Sequence, residues 1–214
     1  MMTINKQTKA FTMLELVFVI VVLGILAALA LPRMDRDLRQ EAADNVLSAI
    51  RYTQHLALND DKTDPFDPNW QQELWSIHFT TATSGSYYNV SSDLNKSGLP
   101  VEKKETAIDP SNGKYMYHHH NNPVQPNESP NVLLGKKYGV TDIQGSGGCN
   151  NIKHIGFDHI GRPHVSFSTS NTPDYSSYMP QDCIFTFTMS DGDTFDINTS
   201  KETGYAYIDG QPDS

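Results

Sequence analysis

The chain has 214 residues, 37% of them hydrophobic, and a formal net charge of −9. That length supports one modest folded domain. The acidic balance argues against nonspecific binding to nucleic acid or to anionic lipid, since both need a basic face.

Residues 1–10, MMTINKQTKA, form a short polar leader with Lys6 and Lys9 and no acid. Residues 9–33 then read KAFTMLELVFVIVVLGILAALALPR, an apolar run with one acid, Glu15, near its start. As a helix, positions 11–31 span roughly 31 Å, close to the ~30 Å hydrocarbon core of a bilayer. A carboxylate at such a depth is unfavourable by about 2.5–3.5 kcal/mol. Positive charge holds the leader on the cytoplasmic side, so the bulk of the chain lies across the membrane. An ordinary secretory signal has an apolar core of about 7–15 residues followed by a small-residue cleavage site. Here the apolar part is longer and the small residue, Ala10, precedes it. A plain single-pass anchor with a tolerated acid near the interface is the simpler alternative.

The basic leader, Phe11-Thr12-Met13-Leu14-Glu15 and the unbroken apolar run into Leu31-Pro32 together resemble the class III leader of type IV prepilins and type II secretion pseudoprepilins. The resemblance implies that a membrane prepilin peptidase cuts between Ala10 and Phe11 and N-methylates the new Phe11 terminus. Family members usually carry Gly where this chain has Ala10, so cleavage is expected to be less efficient. The Phe11 amine of one subunit would neutralise Glu15 of the next inside a filament, offsetting the burial of the acid and setting axial register. Pro32 falls where many pilins carry a helix-kinking proline. The implied fold class is α+β and pilin-like, with a long N-terminal helix on a C-terminal antiparallel β-sheet head. The implied partners are the prepilin peptidase, other pilin or pseudopilin subunits and the inner membrane, with the head periplasmic. No nucleic acid is favoured as a partner.

Beyond Pro32, Leu38, Ala42, Val46, Ala49, Ile50, Thr53 and Ala57 recur at three- and four-residue spacing, one face of an amphipathic helix. The expected organisation is therefore a leader at 1–10, a membrane or filament-core helix at 11–32, an amphipathic helix at 33–59 and a β-rich head at 60–214. Pro32, between the helical halves, is expected to kink or locally melt the helix. Residues 74–80 alternate as a strand, and 87–90 pair with them across Ser84-Gly85-Ser86. Residues 91–135 are rich in Asn, Pro, Ser, Lys and Gly and read as a long variable insertion with one or two short strands. Strands follow at 152–157, 164–168, 183–189, 194–198 and 205–208, and Asp191-Gly192 suggests a type I′ hairpin turn. Segments 40–52, 155–163 and 203–208 also resemble the GspH/FimT group of minor pseudopilins and minor pilins.

Cys149 and Cys183 both fall in the part expected to be periplasmic, where an oxidising compartment favours pairing; two buried free thiols are the alternative. His118-His119-His120 invites a metal reading, but consecutive residues of a strand alternate faces, so a solvated loop is expected. His154, His159 and His164 are expected at turns and on the surface. Asp191, Asp193 and Asp196 resemble a fragment of a calcium loop without its bidentate Glu, so calcium is a minor option and no cofactor is expected. No Gly-x-Ser-x-Gly elbow occurs. The sequence thus points to a structural subunit of a type IV pilus or type II secretion pseudopilus and not to an enzyme. A membrane-anchored binding module or enzyme that stays outside any filament is the alternative.

Overall fold

The computed structural model describes residues 12–98, 102–173 and 175–211, with the side chains of 27–37 outside the description. Two compact units are present, Met1–Leu38 and Arg39–Ser214. Helix α1 (Met13–Leu58) contributes to both, and its helical backbone continues through Pro32 without melting.

In the second unit the amphipathic face behaves as its spacing dictates. Ala42, Val46, Ala49, Ile50, Thr53 and Ala57 are all buried. Leu38, expected on the same face, is exposed instead. The buried stripe shares one core with two antiparallel sheets, which among the described residues hold eight strands: β1 (Trp75–Thr80), β2 (Tyr87–Ser91), β3 (Val140–Gly147), β4 (His154–Phe157), β5 (Pro163–His164), β6 (Cys183–Met189), β7 (Thr194–Thr199) and β8 (Ala206–Ile208). The first sheet runs β2-β1-β4-β5 and the second β3-β6-β7-β8. Phe79 of β1 joins them, with its ring 4.9 Å from Phe185 and 5.3 Å from Phe187. Each such fully buried side chain stabilises the fold by about 1.5–3 kcal/mol relative to exposure.

Two polar side chains hold α1 to the strands beneath it. Gln54 Nε2 donates to the Gly161 carbonyl after β4 and to the Thr203 carbonyl before β8, both at 2.8 Å. Arg51 donates to the Ala206 carbonyl at 2.9 Å. One helical turn therefore satisfies backbone acceptors from both sheets.

The alternation in β6 is borne out: Phe185, Phe187 and Met189 are buried and Ile184, Thr186 and Thr188 half-buried. The expected strand at 74–80 is present as β1, a central strand in which Ser76, Ile77, His78 and Phe79 are all covered. The expected strand at 164–168 shrinks to β5, followed by a 3-10 turn at Phe167–Thr169. The β6–β7 turn is not type I′. That type needs two residues with positive φ, and only Gly192 has one (92°).

Among the described residues of 91–135, none beyond Ser91 itself belongs to a paired strand. They are organised by isolated bridges at Ser91–Thr106, Ile108–Tyr115 and Tyr115–Glu128 and by 3-10 turns at Lys103–Glu105 and Pro130–Val132. They lead into a five-residue helix α2 (Leu134–Tyr138) and the unanticipated β3. After β3 the chain turns back so tightly that a Cβ on Gly145 would lie 2.2 Å from the Cys149 carbonyl oxygen, so only glycine fits there.

Candidate functional site

The described side chains of the first unit face outward. Leu14, Leu16, Val17, Phe18, Val19 and Ile20 are all exposed, Phe18 by 69%, and the exposure continues to Leu26. Monomeric soluble domains rarely leave such a contiguous apolar surface uncovered. Among the described residues no helix is long and apolar enough to cross a membrane. Of the expected 11–32 span, Phe11 and the side chains of 27–32 lie outside those residues.

Glu15 is placed by local chemistry. Thr12 precedes the helix, and its hydroxyl oxygen accepts from the Glu15 backbone N–H at 3.3 Å. The Glu15 carboxylate reaches back, and Oε2 accepts from the Thr12 backbone N–H and from its hydroxyl, both at 3.0 Å. This is a reciprocal capping box, which satisfies orphan donors at the helix start and locks the carboxylate over the first turn. The Thr-x-x-Glu spacing carries that signal in the sequence, where the acid alone drew attention. Ala10 and Phe11 lie outside the described residues, as do the side-chain surroundings of Pro32.

Among known families, residues 5–31 match the model described as the prokaryotic N-terminal methylation motif. The chain carries the class III leader of the type IV pilin and pseudopilin family. The match covers the prepilin leader and apolar segment and leaves the head unassigned. Neither a curated protein nor a solved structure matches the chain.

In the head, Cys149 and Cys183 form a disulfide, with both residues fully buried and Cα atoms 5.0 Å apart. It ties the chain following β3 to the start of β6. Closing 34 residues would stabilise the fold by about 3–4 kcal/mol on the chain-entropy account.

The histidines depart from expectation. His118 is buried, not solvated: its Nδ1 lies 3.1 Å from Glu128 Oε2, and Glu128 also pairs with Lys103 at 2.9 Å. His120 contacts the Tyr87 hydroxyl at 3.2 Å. The triplet therefore fastens the insertion to β2. His164, expected at the surface, is fully buried between Asp158 (3.5 Å) and Ser177 (2.8 Å). Burial alone raises the Asp158 carboxyl, but bonds from His164 and Arg162 outweigh it and hold the group at about 2. His78 is buried against His154, and that burial, with the neighbouring His154, pushes its pKa down to about 3.

Asp158, His164 and Ser177 look like the parts of a nucleophilic triad, yet the hydrogen bonds run the wrong way. Gln71 Nε2 donates to Ser170 Oγ and to the Thr172 carbonyl, so its Oε1 faces Ser177 and accepts from that hydroxyl. A nucleophilic serine must donate to the imidazole instead. His164 Nδ1 itself lies 2.8 Å from Ser177 Oγ. The cluster joins β4, β5 and the following loop.

In the Asp191–Asp196 segment two aspartates, Asp191 and Asp193, make structural bonds. Asp191 Oδ1 accepts from the Asp193 backbone N–H, and Asp193 accepts from Arg39, both at 2.9 Å. Among the described residues no group of three or more His, Cys, Asp or Glu side chains is placed to hold a metal ion.

Proposed function

We propose that this chain is a structural minor pilin or pseudopilin. Prepilin peptidase removes residues 1–10, N-methylates Phe11, and the apolar half of α1 carries the subunit from the inner membrane into a filament. The observation that carries this reading is the uncovered apolar segment with Glu15 locked over its first turn, inside a matched N-terminal methylation motif.

The capping box gives the reading a mechanism. Cutting before Phe11 creates an α-amino cation one residue before Thr12, whose own N–H already points at Glu15. The carboxylate is thus held at the helix end where that cation, or the one of a neighbouring subunit, arrives. A charge pair formed there relieves the burial of both groups, whereas either charge alone opposes assembly. The segments at 40–52, 155–163 and 203–208 favour a GspH/FimT-like minor subunit. The head's buried histidines and aspartates serve packing, which favours a structural role over catalysis and gives the anchored-enzyme alternative no support.

Mass spectrometry of the protein from cells with active prepilin peptidase tests the proposal. The expected mature chain starts at Phe11 and carries one added methyl group. A chain still starting at Met1 overturns it.

A further inference from the structure

Within the second unit, the exposed side of α1 and the insertion enclose an open cavity of about 370 Å³. This lies at the lower end of the roughly 300–1,000 Å³ of ligand sites and is large enough for one long side chain. Its lining includes Tyr52, Tyr88, Tyr138 and Met116. Its acids are Glu41 and Asp44 on α1 and Asp109 on the insertion. No cationic side chain lines it among the described residues.

The two halves of this lining select the same chemistry. Aromatic faces attract a cation within about 6 Å of the ring centroid, and carboxylates supply the opposite charge. Burial raises the Asp109 carboxyl, but donors on Ser111, Ser129 and Asn131 outweigh it and keep the group below its ordinary range, so it stays charged. An anion is repelled by three carboxylates, and a purely apolar group leaves them without a counter-charge. A lysine or arginine side chain satisfies both requirements, with its methylene stem on the rings and its charged head at the acids.

The rim already holds such a group. Lys137 Nζ lies 4.7 Å from the Tyr138 ring centroid, donates to Asn131 Oδ1 at 2.8 Å and sits 3.7 Å from Glu41. Tyr138, Asn131 and Glu41 all line the cavity. An intramolecular ammonium thus uses the edge of the site, while Asp44, exposed on α1, belongs to the same lining.

We propose that this cavity is a docking site for a lysine or arginine side chain of an adjacent subunit. The inference rests on the assembly reading for the existence of that neighbour. It adds the chemistry of the contact and its position on the head, away from the N-terminal segment.

The test uses the full chain in detergent micelles, with the Met116 methyl signal as reporter. The probe is the blocked tripeptide acetyl-Gly-Arg-Gly-amide; its citrulline counterpart is the neutral isostere. Saturable binding is expected for the arginine peptide, weaker by tenfold or more for the citrulline peptide and for a Glu41→Gln/Asp44→Asn variant. Both replaced acids are exposed, so the variant should keep the melting temperature of the parent. Equal binding of the two peptides, or binding unchanged by the double substitution, overturns the proposal.

A photocrosslinker at exposed Ser48 supplies the second arm, in cells that assemble the filament. A crosslink to a lysine- or arginine-bearing segment of another subunit, lost in the double variant, is expected. A crosslink indifferent to the two acids overturns the proposal. Normal processing and assembly without charge dependence would reject this site alone. Peptide binding by a chain that keeps residues 1–10 would reject the assembly reading alone.

Discussion

Residues 13–26 and residues 39–58 belong to one helix and have opposite burial. In the first stretch the large apolar side chains are exposed all round, from Met13 at 88% to Leu26 at 57%. In the second, Ala42, Val46 and Ile50 are fully buried in a core shared with Phe79, Phe185 and Phe187. The difference lies in residue pattern. Polar residues such as Gln40, Asp44 and Gln54 interrupt the second stretch and leave one apolar stripe, which a single protein face can cover. The first stretch has no polar face to give to water, so only lipid or other helices can cover it. The head is complete within one chain; the N-terminal segment is complete only in company.

If that contrast holds, damage to the head should lower stability without altering the N-terminal segment. The largest effect is expected from Phe185→Ala, which opens the aromatic joint between the sheets and should cost about 3–5 kcal/mol. Denaturant unfolding of the head checks it. Replacing Cys149 and Cys183 together by Ser should cost about 3–4 kcal/mol, read the same way. A smaller effect is expected from acid. Folded His78 resists protonation down to about pH 3, whereas the unfolded chain takes up that proton below about 6.5. The unfolded state therefore binds more protons between these values, and stability falls as the pH drops through this window. The loss at pH 5 is about 2 kcal/mol from this group. His78→Gln should flatten that part of the pH profile; an unchanged slope would place the acid sensitivity elsewhere. The smallest effect belongs to the other region. Thr12→Ala removes the cap and should weaken the first turn by about 1 kcal/mol. Faster amide exchange at residues 13–16, with the head's melting temperature unchanged, is the expected signature.

Much of this contrast could be read in the sequence because it depends on periodicity. The apolar run, the stripe from Ala42 to Ala57 and the alternation of β6 each repeat within a few residues. β3 escaped because VTDIQGSG is polar and glycine-rich; only Val140 and Ile143 of its side chains are buried, and its place is fixed by pairing with β6 some 40 residues later. His164 was misplaced for the same reason, since its burial depends on Ser177 and on Gln71, which lies on a distant turn. The tyrosine- and carboxylate-lined cavity is likewise nonlocal, drawing Asp44 and Tyr52 from α1 and Asp109 from the insertion. The cap on Glu15 was local and legible as Thr-x-x-Glu, but the apolar surroundings of the acid hid its ordinary role at a helix start.

On the proposed reading, the N-terminal segment drives assembly separately from a head that folds by itself. Incorporation of Glu15→Ala into filaments, measured beside the melting temperature of its head, tests this most directly. The account predicts that incorporation is lost while the head melts as in the parent. Incorporation at the parental level would contradict it.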